Sequence, residues 1–132
     1  DLKKKIIYDP DVLVYHHRRR LFDEHIKQVT NYATHRGFFV KKFPETSFRL
    51  GYFIPSLFVL GIIIGFILSF YSSIVFYLYL SILIIYFLMV LIESMKTRNI
   101  ELRILIFSGI IVTHIVYGIW FIKGLLVKRL VQ

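Results

Sequence analysis

Three polar side chains recur at helical spacing in one segment of the chain. Gln28, Tyr32 and Arg36 stand at i, i+4 and i+8, which places them on one face of a helix. Arginine offers a forked donor for phosphate, and glutamine and tyrosine offer directional hydrogen bonds. The face therefore suits a sugar-diphosphate ligand. The alternative is that this face packs against another domain or against lipid headgroups.

A second group of basic side chains precedes this helix. His17 and Arg18 belong to a run of two histidines and three arginines at residues 16–20. Neighbouring residues on a strand point to opposite faces, so the two histidines are poor partners for one metal ion. One interpretation has a histidine facing a binding cleft and the arginines contacting a diphosphate or lipid phosphate. The other is a solvated basic turn near the membrane, and neither interpretation predicts a metal site in this chain.

The polar face belongs to a predicted amphipathic helix at residues 21–46, which we expect to lie at a membrane interface. Gly37 is a weak point in it, because glycine costs about 1 kcal/mol relative to alanine inside a helix, and Pro44 favours its end. The apolar positions share one stripe of the helical wheel, namely Phe22, Ile26, Val29, Ala33 and Val40.

The middle of the chain is apolar and uncharged. Residues 50–92 hold no Asp, Glu, Lys or Arg, and the whole chain is 57% hydrophobic and only 19% charged. As one helix this stretch would measure roughly 65 Å, about twice the hydrocarbon core of a bilayer. We therefore predict two transmembrane helices, at residues 47–71 and 73–95, with the break at the polar stretch 71–73. Gly61 and Gly65 fit a small-residue packing pattern within the first helix.

A third transmembrane helix is predicted at residues 104–126, after a loop at 96–103 and before a tail at 127–132. A tilted or partly re-entrant helix is the alternative. His114 lies inside this segment, where we expect a neutral histidine hydrogen-bonded to a neighbouring helix. Basic residues before the first span and in the 96–103 loop indicate that both are cytoplasmic. Three crossings would then put Lys123, Lys128 and Arg129 outside, against the same rule.

The first twenty residues favour a short β edge. Residues 5–8 and 12–15 are β-rich runs separated by the turn signal Asp9-Pro10-Asp11. Two short strands do not form a stable sheet alone, so we expect them to complete a sheet from elsewhere. The chain starts at Asp1, has no initiator Met and shows no signal peptide, from which we expect a larger protein to continue upstream. It contains no cysteine, which excludes disulfide and cysteine–metal frameworks.

Several segments in this order resemble the C-terminal part of bacterial family 2 membrane glycosyltransferases of the GT-A type. They are Tyr8-Asp9-Pro10-Asp11, then residues 14–19 with two histidines, then Gln28 to Gly37, and then Phe43-Pro44-Glu45-Thr46-Ser47. The stretch Tyr117-Gly118 followed by residues 121–124 is similar to the end of the last membrane helix in such enzymes. The resemblance covers most of the chain.

The resemblance implies a mainly α fold: the edge of a catalytic GT-A domain at residues 1–20, the interfacial helix, and about three transmembrane helices. It also implies a nucleotide-sugar donor, a lipid-linked or membrane-associated acceptor, and a divalent Mg or Mn ion held by the full-length enzyme upstream of this chain. Gln28 and Arg36 look like a loose counterpart of the Gln-x-x-Arg-Trp motif of related processive synthases, with different spacing and no Trp. No catalytic residue is expected within residues 1–132.

The expected setting is the bacterial inner membrane, crossed several times, with the N-terminal segment in the cytoplasm. The net charge of +9 suits the anionic cytoplasmic leaflet. Nucleic acid is not expected as a partner, because no aromatic–basic platform lies outside the apolar segments. The competing hypothesis is a small basic membrane scaffold or transport subunit without catalysis.

Overall fold

The computed structural model describes residues 22–130 together with Asp11, Leu13 and Tyr15. Every regular element in this part of the chain is helical. The helices are α1 (Asp23–Lys42), α2 (Pro44–Ser47), α3 (Ile54–Ser69), α4 (Ser73–Ser94) and α5 (Ile100–Leu126), with a 3₁₀ turn at Leu50–Tyr52.

The mainly α fold is thus observed, whereas the predicted β edge is not confirmed. Most of residues 1–20 lie outside the described part of the chain. Leu13 and Tyr15, the two described members of the second β run, are not in a strand.

Helix α1 covers most of the segment predicted at 21–46, and the position of its end is the one correction. The helix ends at Lys42, and Pro44 begins the separate four-residue α2, because the residue before a proline is pushed out of the helical region. Gly37 does not break α1. Asp23 and Glu24 in the first turn and Lys41 and Lys42 in the last turn match the helix dipole.

Helices α3 and α4 form an apolar hairpin. Pro55 stands in the first turn of α3, where the missing N–H costs nothing. The ring of Phe58 lies 4.3 Å from that of Tyr86, and a Cβ on Gly65 would meet the ring of Tyr79 at 2.7 Å. Gly61 has no neighbour within 4 Å of a Cβ, so only one glycine of the predicted pair packs against the partner helix.

Helix α5 is longer than predicted at its start. The side chain of Asn99 accepts hydrogen bonds from the backbone N–H groups of Glu101 and Leu102, at 2.8 and 3.2 Å, and so caps the helix. Residues 100–103, predicted as loop, therefore form its first turn. The 27 residues of α5 measure about 40 Å.

Helices α4 and α5 are each long and apolar enough to cross a membrane, judged by length and composition. Only 6% of the apolar window in α4 and 11% of that in α5 is buried, unlike a core helix of a soluble protein. Helix α3 has 16 residues and is shorter than a typical span. The fold therefore supports membrane association, whereas three crossings are not confirmed.

Helices α1 and α5 pack side by side in the same direction. His25 of α1 lies 3.2 Å from the hydroxyl of Thr113, and sixteen residues later Lys41 donates a hydrogen bond to the carbonyl oxygen of Val127. Ala33, Val40 and Phe121 form the buried core of this contact. Ala33 and Val40 belong to the predicted apolar stripe, whereas Phe22 is exposed.

Candidate functional site

The guanidinium of Arg36 is held between two tyrosines where α1 meets the start of the hairpin. One terminal nitrogen donates to the Tyr52 hydroxyl at 2.7 Å, and the other donates to the Tyr32 hydroxyl at 2.6 Å. The guanidinium carbon lies 4.8 Å from the ring centroid of Tyr32 and 4.6 Å from that of Tyr52. The two tyrosines therefore fix the arginine by hydrogen bonds and by cation–π contact together.

A third tyrosine connects this group to α5. The rings of Tyr32 and Tyr117 lie 6.5 Å apart, and Tyr117 stacks on Phe121 at 5.9 Å. Phe53, beside Tyr52 in the chain, contacts Phe121 edge to face at 5.0 Å. We call Tyr32, Arg36, Tyr52 and Tyr117 the Arg36 cluster. Its members come from α1, the 3₁₀ turn and α5, so its geometry depends on how those three elements pack.

The Arg36 cluster is suited to an anionic ligand. The hydrogen bond with Tyr32 raises the pKa of Arg36 above its ordinary value, and burial opposes this only in part. The side chain is thus charged at any physiological pH. A guanidinium has five N–H donors, and the tyrosine hydroxyls engage two of them. Three N–H donors remain, which phosphate oxygens can accept.

The structure brings together two of the five site residues predicted from the sequence. Tyr32 and Arg36 are in direct contact. Gln28 is exposed one turn before Tyr32, and it makes no side-chain hydrogen bond within residues 22–130. His17 and Arg18 lie outside the described residues.

Sequence reasoning missed Tyr52 and Tyr117 as members of the site. Tyr52 stands at the edge of the long uncharged run, inside the first predicted transmembrane helix at residues 47–71. Tyr117 stands inside the predicted third transmembrane helix at residues 104–126. The signal available for both was a tyrosine within an apolar segment, since a tyrosine hydroxyl in such a setting usually finds a polar neighbour.

Two histidines, His25 and His114, make polar contacts between α5 and a neighbouring helix. The Nδ1 of His114 lies 3.0 Å from the hydroxyl of Tyr86 on α4, which confirms the expected structural hydrogen bond. His25 contacts Thr113, the preceding residue of α5. Among the described residues no group of three or more His, Cys, Asp or Glu could hold a metal ion, so we assign no metal ligand there.

An apolar groove of about 390 Å³ lies between α3, α4 and α5. Pro55, Phe58, Tyr86 and His114 are among its lining residues, and Glu93 is the charged one. Its lining suits a hydrocarbon chain better than a sugar.

Comparison with known proteins finds no family model that matches the chain, and no significant match among curated proteins or solved structures.

Proposed function

We propose that this chain is the membrane-associated C-terminal part of a family 2 glycosyltransferase of the bacterial inner membrane. The N-terminal segment lies in the cytoplasm. Sugar passes from a nucleotide-sugar to a membrane-associated or lipid-linked acceptor, and a GT-A domain upstream supplies the catalytic base and the divalent metal. The proposal starts from the ordered resemblance of the sequence segments to that family.

The observation that carries the proposal is the Arg36 cluster. Arg36 is fixed by Tyr32 and Tyr52 at the point where a polar helix meets an apolar hairpin. A diphosphate or lipid phosphate at a membrane surface needs such a rigid, charged, forked donor next to hydrocarbon. The apolar groove beside His114 supports a lipid-linked acceptor, because its lining offers room for part of a hydrocarbon tail.

The experiment is a turnover assay with the full-length protein in native membranes. Release of nucleoside diphosphate is followed with a panel of UDP-, GDP- and dTDP-sugars. Arg36→Gln is compared with Lys27→Gln, which removes an exposed charge from the polar side of the same helix. We expect Arg36→Gln to lower kcat/KM about 10- to 100-fold, since a hydrogen bond to a charged group contributes about 1.5–3 kcal/mol.

Each outcome of that assay has a distinct meaning. Lys27→Gln retains wild-type turnover if the effect belongs to Arg36 and not to helix charge in general. Equal turnover by Arg36→Gln and Lys27→Gln would show that Arg36 has no specific role in binding the substrate. Absence of turnover with every donor, in a protein whose reading frame lacks an upstream GT-A domain, would favour the scaffold or transport subunit instead.

A further inference from the structure

The geometry points to a membrane topology with two crossings rather than three. In this topology α3 and α4 cross the bilayer as a hairpin, and α5 lies along the cytoplasmic side of the membrane between the hairpin and α1. The surface formed by α1 and α5 then binds the anionic headgroups of the cytoplasmic leaflet. The inference rests on the proposed membrane association but not on sugar transfer.

The first argument is how α5 meets the hairpin. Along α5, Phe107 contacts Phe87, His114 contacts Tyr86, and Gly118 accepts a hydrogen bond from Ser56 at 3.0 Å. Phe121, which contacts Phe53, is the last member of this series.

From Phe107 to Phe121, these contact residues of α5 extend over about 21 Å of the helix axis. The residues that they contact lie in a narrow band of the hairpin. This band consists of residues 53–59, at the start of α3, and residues 86–87 of α4, and we call it the hairpin base. On α3 this band measures only about 9 Å. Neighbouring transmembrane helices mostly cross at about 20°, or at about 40° in the right-handed class, so the lengths in contact on the two helices stay similar. Helix α5 instead runs across the hairpin base.

The second argument is how α5 meets α1. His25 contacts Thr113, and Lys41 contacts Val127. The two contacts are sixteen residues apart on α1 and fourteen residues apart on the α5 side. The two helix axes are therefore close to parallel over this length. A charged side chain at the centre of a bilayer costs about 2.5–3.5 kcal/mol even on the lowest scales. Helix α1 cannot cross the hydrocarbon, because it carries six charges, namely Asp23, Glu24, Lys27, Arg36, Lys41 and Lys42.

The C-terminal half of α5 must share the direction of α1 along the membrane surface. By length and composition α5 could also cross a membrane, so its packing against α1 and the residues near its C-terminal end are what favour an interfacial position. The ammonium group of Lys123 lies 3.9 Å from the ring centroid of Trp120, and both side chain types are common at the headgroup level. Gly118 faces the hairpin base and Gly124 faces α1, so α5 is packed between the two.

The length of the hairpin and the width of α5 agree with this arrangement. The part of α3 beyond the hairpin base, from Val59 to Ser69, measures about 15 Å, and an α-helix with its side chains is about 10 Å wide. The hairpin and an α5 at the edge of the hydrocarbon together measure about 25 Å, slightly less than a hydrocarbon core of about 30 Å. The polar α1 then lies outside the hydrocarbon, in contact with the headgroups.

The topology also removes the charge conflict found in the sequence. With α5 on the cytoplasmic side, Lys123, Lys128 and Arg129 join the basic residues of α1 and of the 96–99 loop on one side of the membrane. The hairpin loop around Tyr71 carries no charge and is the segment that reaches the other side. Each basic residue near the surface adds about 1 kcal/mol of attraction to an anionic leaflet.

Cysteine accessibility tests this topology, since residues 1–132 contain no cysteine. Single cysteines are introduced into full-length protein whose other cysteines are changed to serine, and right-side-out membrane vesicles are treated with a membrane-impermeant maleimide. The sites are Ser73→Cys at the hairpin loop, Arg98→Cys in the loop before α5 and Lys128→Cys after α5, all of which are exposed. Carbonate extraction verifies that each variant remains in the membrane.

We expect Ser73→Cys to be labelled in sealed vesicles, and Arg98→Cys and Lys128→Cys to be labelled only after the vesicles are opened. Labelling of Lys128→Cys in sealed vesicles would overturn the inference, because α5 would then cross. Protection of Ser73→Cys would overturn the crossing hairpin. Release of all variants by carbonate would refute membrane association itself, whereas a correct labelling pattern without sugar turnover would leave the topology standing and refute only the glycosyltransferase.

Discussion

Gly37 of α1 lies directly against the backbone of Phe121 in α5. A Cβ on Gly37 would collide with the carbonyl oxygen of Phe121 and would come within 2.9 Å of the amide nitrogen of Leu125. Gly124 makes the reciprocal contact, since a Cβ there would come within 2.9 Å of the backbone of Thr34. The two helices therefore approach each other backbone to backbone, which only small residues allow.

The first prediction concerns this glycine contact. Gly37→Ala is expected to lower the free energy of unfolding by about 1–3 kcal/mol, because the neighbouring atoms are backbone and cannot rotate away. Gly61→Ala is the matched control, since no atom lies within 4 Å of its added Cβ and alanine gains up to about 1 kcal/mol of helix propensity. Thermal unfolding of both variants in detergent measures the difference. An equal rise in Tm for both would show that α1 and α5 are not this close.

Much of the helical framework was accessible from the sequence. The absence of charge over residues 50–92 and the polar break near Ser72 predict the hairpin, and Pro44 predicts the end of α1 to within a few residues. These features are local, because they depend on hydrocarbon length and on backbone sterics. A pattern within one segment is enough to state them.

The contacts between segments were not accessible in the same way. Ala33 and Gly37 are a small-residue pair four apart, but Gly124, which lies against Gly37, is 87 positions further along the chain. The Gly61 and Gly65 pair has the same spacing, and yet only Gly65 packs against α4. Spacing indicates a possible contact face but not its partner. For the same reason the sequence predicts only Tyr32 and Arg36 of the Arg36 cluster, because Tyr52 and Tyr117 come from other elements.

The second prediction concerns the support of Arg36. Tyr52→Phe removes the hydroxyl that accepts from Arg36 and keeps the ring for the cation–π contact. We expect a two- to tenfold rise in KM for the nucleotide-sugar or acceptor with little change in kcat, which corresponds to about 0.5–1.5 kcal/mol for one hydrogen bond. Tyr71→Phe, in the exposed hairpin loop, is the control. Equal kinetics in both variants would mean that Tyr52 does not position Arg36 for binding.

The third prediction concerns the anchor between α3 and α5. Ser56 is only 4% exposed, and its hydroxyl donates to the carbonyl oxygen of Gly118 at 3.0 Å. Ser56→Ala is expected to destabilise the protein by about 1 kcal/mol. Ser81→Ala is matched in chemistry, but its hydroxyl bonds within its own helix to Tyr77 and is exposed, so a smaller change is expected. Unfolding in mixed micelles compares the two, and a larger loss for Ser81→Ala would contradict the assigned contact.

The fourth prediction concerns the polar pair between α4 and α5. The Tyr86 hydroxyl and the His114 ring are 3.0 Å apart in a part of the fold with few other polar groups. Double-mutant cycles between membrane helices give coupling energies of about 0.6 kcal/mol on average and about 1.7 at most. We expect Tyr86→Phe and His114→Ala to couple in this range, because each variant leaves the other partner without its hydrogen bond.

Tyr77→Phe, on the exposed side of α4, supplies the control cycle with His114→Ala and should show no coupling. Unfolding free energies of the single and double variants, measured in the same micelles, give both cycles. Additive losses for Tyr86 and His114 would mean that the hydrogen bond does not hold α4 to α5. The orientation of α5 across the hairpin base would then depend on the other contacts of the series, which Phe107, Gly118 and Phe121 make, and Ser56→Ala should in that case be more damaging than Tyr86→Phe.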